Sequence, residues 1–479
     1  MAEHGTADVS TPIGDYKDMA ARFALPVALL GGTLTMRDEA TVYMPKYPEE
    51  EEARYLRRLN SAVLLESYRK AVENLSARPF RKPVKLDENA GDFWRSFARN
   101  VDLSGTSLTS FARTQLQDLL VFGKSHILVD YPDTGSLKER LGVDQLTLAD
   151  EQKYNLRPYM SHISPSAVIG WLSERRGGIE VLTQLRIKEV FSERVNEWEE
   201  REVQRIHVWT EKEITTYRKN GNDDSDEFFL EGEPRTNTIG FIPLITVYAN
   251  RQSFLKSFPP LEGLAHLNQK HWWMQSDQDQ IETVARVPML FFRGFSVEDL
   301  QGVEVGPYKI FGNRAHESDI KVVETNGKAV EVGSHALMRL EKQMQAMSME
   351  PLVRKPQQLT ATEVAYDEVR SLSDLEAYVT RLEWGLFDAL SIVALWRKDR
   401  YVPEISIGED EQLFLNGDRE LEELRLDYQM GAITQRTYLK HRRERGLYSE
   451  DLDIDEEIAE TQMEEGLSID TGNTESPDD

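Results

Sequence analysis

The residues best suited by type to do chemistry are Gly123-Lys124-Ser125, a glycine-lysine-hydroxyl triplet of the kind that cradles phosphates. A phosphate loop needs a first glycine five positions earlier, where this chain has Asp118. It also needs a strand before and a helix after, so that amides and helix dipole face the anion. Here apolar spacing predicts the reverse order, and the triplet reads as a glycine helix stop. Asn222, Asp224 and Asp226, with Glu233 in twelfth place, have calcium-loop spacing. Glu227 stands where glycine must allow the sharp turn, and the flanks read as strands, so a hairpin turn without calcium is expected. The nine histidines show no His-Glu-x-x-His pattern, and His266 and His271 read as surface or interface residues of a polar helix. A Gly-x-Ser-x-Gly elbow is absent, and nothing singles out one carboxylate pair among 83 acidic residues. Zero cysteines remove thiol catalysis, thiolate zinc and disulfides together. The sequence offers no catalytic constellation, no cofactor site and no metal site.

Two other groups stand out. Arg354-Lys355 is a basic pair in a short proline-containing stretch, and its plain reading is a solvated loop. Trp272-Trp273, on the polar helix, is most simply a packing anchor.

The elements that must position these residues follow from length and pattern. The chain has 479 residues, 40% of them hydrophobic, enough for two to four domains with real cores. Its formal net charge is −26, and thirteen acidic residues with no Lys or Arg fall between Glu450 and Asp479. Such an end reads as a helix fraying into a solvated acidic tail. So acidic a chain is a poor tight binder of duplex DNA, since that affinity comes mostly from Lys and Arg displacing counterions. Apolar runs such as Phe23 to Leu30 fall short of a membrane span, and the first twenty residues do not read as an export signal. A cytoplasmic start is therefore expected.

Residues 1–40 are expected to be a flexible arm with little core. Residues 41–258 read as one α+β domain: an amphipathic helix from Glu51 to Pro79, a helix from about Thr106 to Phe122 stopped by Gly123, and a strand from His126 to Val129. Alternating strands follow at Val181 to Val190, Val203 to Trp209, Glu213 to Tyr217 and Ile242 to Tyr248, with a turn at Asn220 to Asp226. A long polar helix spans about 259–286, too sparsely apolar to be buried, so it should meet copies of itself or water. Residues 287–333 read as a small β-rich insert with strands at Met289 to Phe292, Tyr308 to Phe311 and Lys321 to Glu324. A helix over 334–349, an irregular stretch over 350–359 and a long helix over 360–400 complete the series, with Thr360 and Glu363 forming a capping box. The long helix carries a seam from Leu372 to Trp396 that no small domain needs. Residues 401–479 read as helical and charged, with Tyr428 to Ile433 and Tyr438 as packing points.

This order resembles that of tailed-bacteriophage portal (head-to-tail connector) proteins. Local passages are also similar to the family: Ala112 to Tyr131, Glu324 to Glu331, Leu359-Thr360-Ala361-Thr362-Glu363-Val364-Ala365, and Gly431 to Tyr438. The likeness covers roughly residues 50 to 460. It implies a predominantly helical α+β fold with wing (41–258), stem helices (259–286 and 334–349), clip (287–333), tunnel loop (350–359), a long wing/crown helix (360–400) and a crown with an acidic tail. The implied function is a non-enzymatic channel at the capsid vertex for packaging and ejecting double-stranded DNA. Implied partners are a homo-oligomeric ring of twelve copies, the large terminase subunit, a head-tail adaptor, and major capsid and scaffolding proteins, with no membrane. The implied location is the virion, after assembly in the host cytoplasm. Carried to residues, Arg354, Lys355, Gln357 and Gln358 would line the tunnel, and Arg293, Tyr308, Lys309 and Arg314 would lie on the clip. A nucleic-acid-processing enzyme with carboxylate-bound magnesium is the competing reading, and an acidic scaffold for a basic partner is a third.

Overall fold

The computed structural model describes residues 8–143, 153–219, 227–286, 289–293, 319–323, 328–348, 361–408, 425–430 and 432–444, with 145, 147, 150, 454 and 458. The chain forms two compact units, residues 1–77 with 84–405, and residues 78–83 with 406–479. The architecture is α+β.

The larger unit opens on α1 (Gly14–Asp38), where a flexible arm was expected. Met19, Phe23, Leu25, Ala28, Leu29 and Met36 of this helix are buried, and Phe23 meets Phe122 edge-on at 5.0 Å. Its apolar residues point several ways because it is covered on more than one side, so no single stripe betrays it in the sequence. By length and composition α1 is apolar enough to cross a membrane. Its buried residues instead belong to the core of this unit.

A short α2 (Ala40–Tyr43) leads to α3 (Glu52–Ser61) and α4 (Ser67–Ala77), where one continuous helix was expected. The break has a local cause. Ala62 is extended, its carbonyl accepts from the Arg37 guanidinium at 2.8 Å, and the Leu64 amide donates to Thr33 Oγ1 at 3.2 Å. Groups that would carry the helix through are thus engaged by α1.

After a short strand β1 (Lys85–Leu86) and α5 (Asp92–Arg99) comes α6 (Leu108–Phe122), as the spacing predicts. Ser107 caps it by accepting from the Ser110 amide, and Gly123 ends it in the left-handed region at φ 74°. Strand β2 (Lys124–Asp130) follows at once and is buried over its first six residues. Beyond α7 (Gly135–Leu141) come β3 (Tyr159–Ile163), β4 (Val168–Arg176), β5 (Ile179–Arg194), β6 (Glu200–Thr210), β7 (Glu213–Lys219), β8 (Phe228–Leu230), β9 (Arg235–Thr236) and β10 (Leu244–Tyr248).

Strands β4 to β8 form an antiparallel meander, with β9 also paired to β7. The second sheet has the order β10-β2-β3, with Leu128 facing Leu244 on one side and Ser161 on the other. The expected turn at Asn220 to Asp226 lies outside the described residues, but its flanking strands β7 and β8 do pair.

A small hairpin, β11 (Arg251–Ser253) and β12 (Lys256–Ser257), precedes α8 (Glu262–Arg286). The insert contributes β13 (Met289–Arg293) and β14 (Asp319–Val323), antiparallel with Met289 opposite Val323. The expected strand at Tyr308 to Phe311 lies outside the described residues. Helix α9 (Lys328–Met347) begins earlier than expected, so residues 328–333, assigned to the clip, are its first turns.

Helix α10 (Ala361–Arg397) has the expected length. Its apolar seam, however, does not wait for a neighbouring molecule. Leu375, Val379, Leu382, Leu386, Ala389, Leu390 and Val393 are buried by this chain against β10, β2 and α6. Gly385 permits that approach, since a Cβ there would fall 2.2 Å from Val247 Cγ2. The smaller unit contains α11 (Gln435–Glu444), capped by Thr434 accepting from the Thr437 amide. Tyr428 and Tyr438, expected as packing points, stack at 4.9 Å.

Candidate functional site

The antiparallel helix pair α8 and α9, with the strands between them, carries His266, His271, Trp272, Trp273 and Arg293 of the residues singled out in the sequence. The first half of α8 is buried at Leu264, Ala265, Asn268, His271 and Trp272. This corrects the expectation that the helix is too polar to be buried. Polar side chains are accommodated because they meet backbone left open elsewhere: Asn268 accepts from the Tyr68 amide at 2.9 Å and donates to the Leu65 carbonyl at 2.8 Å. One side chain therefore occupies the gap between α3 and α4.

A second row on α8, Gln269, Trp273, Asp277 and Gln280, is clasped by residues 43–54. Gln269 Nε2 donates to the Tyr43 carbonyl at 3.1 Å, and Trp273 Nε1 donates to the same oxygen. Tyr47 hydroxyl donates to Asp277, and Arg54 donates to Gln280 Oε1 at 3.3 Å. Spacings of four, four and three keep these residues on one helix face.

The strap is itself held by a buried ion pair, Arg58 Nη2 to Glu50 Oε2 at 2.9 Å, with the guanidinium 4.6 Å from the Tyr47 ring. The Arg58 hydrogen bond is the main influence holding the Glu50 carboxyl below its ordinary range. Burial, reinforced by Asp277, raises the Tyr47 hydroxyl.

Helices α8 and α9 meet through His271, expected at a surface or interface and found buried, with Nε2 3.2 Å from Glu341. Further along, Gln278 Nε2 donates to the Val330 carbonyl at 3.0 Å and lies over Gly333, where a Cβ would meet Gln278 Oε1 at 1.9 Å. At the other end Gly263 receives Met347, whose Cε would be 2.7 Å from an added Cβ. Glycines inside two polar helices, Gly263 and Gly333, are the sequence signal for this close crossing.

The pair leaves apolar side chains exposed along its length: Ile281 and Val332 near the insert, Met338 in the middle of α9 and Met347 at its far end. Charges along the pair nearly balance, with Lys270, Arg286, Lys328, Arg339 and Lys342 against Glu262, Asp277, Asp279, Glu282, Glu331 and Glu341. The acidic excess of the chain is carried elsewhere.

Arg293 is exposed at the end of β13. Tyr308, Lys309 and Arg314 lie outside the described residues, as do Arg354, Lys355, Gln357 and Gln358. Of the tryptophan pair, Trp272 is fully buried and Trp273 fastens the strap, so both act as anchors.

The Gly123-Lys124-Ser125 triplet stands between helix and strand in the order that excludes a phosphate loop. Lys124 is fully buried, donates to the Leu255 carbonyl at 2.6 Å and lies 5.4 Å from the Trp171 ring. Burial pushes its ammonium down to about 7. Burial likewise holds the neighbouring His126 well below its usual range, with its Nδ1 2.9 Å from Thr246 Oγ1. Across the sheet His162 Nε2 lies 2.6 Å from Asp118 Oδ2, whose carboxyl burial raises. Lys124 and His126 sit within the fold on β2, which supports α6 and α10, while His162 stands on β3 and Asp118 on α6.

Comparison with known proteins gives a family model and several solved structures. Residues 260–397, from the start of α8 to the end of α10, match a domain of unknown function (DUF4055). No curated protein matches the sequence. One structural likeness is to a chain in the virion of a native gene transfer agent particle, with a TM-score of 0.40 and 11% identity, covering 83% of this chain and 94% of that one. Two others are to chains in the neck of the empty particle, computed with C6 symmetry, and of the native particle, computed with C12 symmetry. The first has a TM-score of 0.40, 10% identity and coverage of 79% of this chain and 89% of that one. The second has a TM-score of 0.40, 8% identity and coverage of 84% and 95%.

Proposed function

We propose that this chain is a portal subunit, a non-enzymatic component of a head-tail vertex whose copies close into a ring around double-stranded DNA. The observation that carries the reading is α8, the β13–β14 pair and α9 in antiparallel sequence, followed by the 37-residue α10. In this reading α8 and α9 are the stem, residues 287–327 the clip, residues 350–359 the tunnel loop, and the α+β body the wing. Residues 328–333 move from clip to stem because they are helical.

A ring built from head-to-tail contacts closes only if each copy offers two different surfaces. Exposed Ile281, Val332, Met338 and Met347 supply apolar surface along the helix pair that the chain itself does not cover. A stem of nearly balanced charge suits passage of a polyanion. With five cations against six acids, it has little net charge either to hold phosphates by counterion release or to keep the duplex out.

Arg293 with Tyr308, Lys309 and Arg314 would present the clip to the large terminase subunit and a head-tail adaptor, and Arg354, Lys355, Gln357 and Gln358 would face the bore. The ring would have twelve copies, meet major capsid and scaffolding proteins during assembly in the host cytoplasm, and remain in the virion. Electron microscopy of the purified protein tests the reading. Rings with a central hole are expected. A strictly monomeric particle at high concentration overturns the ring, and ATPase or nuclease activity from the chain alone overturns its non-enzymatic character.

A further inference from the structure

The β5–β6 ribbon outruns the sheet it belongs to. β4 pairs with β5 only as far as Ile187, and β7 pairs with β6 only back to Arg205. Among the described residues, the backbones of 190–194 and 200–204 therefore pair only with each other, with Arg218 of β7 reaching Glu193 through its side chain. At about 3.3 Å per residue, these five pairs carry the tip roughly 17 Å past the described ends of the flanking strands.

The tip is built rather than loose. The Val195 amide donates to the Glu199 carbonyl at 2.8 Å, the Trp198 amide donates to Asn196 Oδ1 at 2.9 Å, and Asn196 Nδ2 donates to Glu199 Oε2 at 3.0 Å. This turn presents Trp198, which is 92% exposed, beside exposed Val195. Two-stranded ribbons are marginal alone, and an indole held in water by an ordered turn stabilises nothing within its own chain.

The matching surface lies where α10 crosses β10. A groove of about 540 Å³ there is lined by residues 245–251 of the strand and its continuation. Alternate strand residues face opposite sides, so a consecutive lining means that the strand edge itself borders the groove. Among the described residues β10 pairs only with β2, which leaves that edge open. Trp384, 67% exposed, stands on the helical side, with Arg251 and Arg381 on the same groove. Among the described residues neither arginine forms an ion pair with a carboxylate, although Arg381 donates to the Ala249 carbonyl at 2.7 Å, Arg251 lies over the Tyr248 ring, and one acid, Asp388, also lines the groove.

We infer that the β5–β6 tip of one subunit seats in the α10–β10 groove of the next copy, with Trp198 packing on Trp384 and the acidic tip facing Arg251 and Arg381. This rests on the ring reading above. The occupant is chosen by charge and shape of chemistry together. Glu197, Glu199, Glu200 and Glu202 outnumber Arg194 and Arg201 around the tip, and the groove offers two arginines against one acid, Asp388, with an exposed indole. The acidic segment from Glu450 to Asp479 shares the charge but has no aromatic residue to meet Trp384. Aromatic anchors in pockets are where interface energy concentrates.

The absence of native cysteine makes the test clean. Full-length Trp198→Cys protein is mixed with full-length Trp384→Cys protein, assembled and oxidised. Disulfide-linked dimers are expected from the mixture and not from either protein alone. Trp198→Ala should keep the melting temperature of the isolated subunit, since the side chain is exposed, while raising the concentration needed for rings by about tenfold or more. Wild-type rings without cross-links in the mixture, or unchanged assembly by Trp198→Ala, overturn the docking and leave the ring intact. A wild-type protein that forms no ring overturns both.

Discussion

The Tyr47 hydroxyl sits 3.0 and 2.9 Å from the two carboxylate oxygens of Asp277, joining residues 230 positions apart. With Tyr43 and Arg54 it turns the segment before α3 into a strap along the long polar helix. Because Tyr47 is about half exposed, the bond is worth less than a buried one, about 0.5–1 kcal/mol. Tyr47→Phe should therefore leave the fold intact and speed hydrogen exchange in residues 43–50 and in the facing turns of α8. Unchanged exchange in both segments would show that the strap does not hold the helix.

The Arg58–Glu50 pair anchors that strap from beneath, with both side chains almost wholly covered. Arg58→Ala leaves a buried carboxylate without its partner and should cost about 3 kcal/mol in urea unfolding, whereas Arg58→Met with Glu50→Leu should recover most of it. The Glu50 carboxyl is held below its ordinary range in the folded state. Its contribution is thus present above the unfolded carboxyl range and lost as pH falls through the folded value. The double variant should lose less stability than wild type between pH 5 and pH 3.

Lys124 gives the opposite pH signature. Its folded-state value of about 7 lies below that of an exposed lysine, so between these values the unfolded chain binds a proton that the folded chain does not. Stability should rise with pH across that window, by on the order of a few kcal/mol. Lys124→Met should flatten the rise, as read by urea midpoints at pH 7 and pH 9.5. An equal slope in both proteins would mean that another group supplies it.

Two glycines set how closely elements approach. Gly123 has φ 74° and a Cβ would fall 2.1 Å from the Phe258 carbonyl oxygen, which is backbone and cannot rotate away. Gly123→Ala should cost at least about 3 kcal/mol or prevent folding. Gly385→Ala meets a side-chain methyl of Val247 instead, and should cost about 1–3 kcal/mol, with partial rescue by Val247→Ala. Thermal melts of the three variants separate the cases.

Local chemistry made much of the architecture legible. Ser107 and Gly123 mark the two ends of α6, Pro260 precedes α8, and alternation in 181–217 marks the meander, because caps and periodicity act within a few residues of chain. The same local order, two polar helices around a small β insert and then a 37-residue helix, carries the functional reading.

What only the tertiary structure decided is where distant groups meet. Nothing local in Ala62 announces that Arg37 will take its carbonyl, or in Asn268 that it will fill the break this leaves. Nor does the pattern of α1 announce a core helix, since burial on several sides erases the stripe that periodicity detects. The seam of α10 was legible as apolar, but whether a neighbour or the chain itself would cover it depended on Gly385 letting β10 approach. Patterns fix which faces must be buried; long-range packing chooses what buries them.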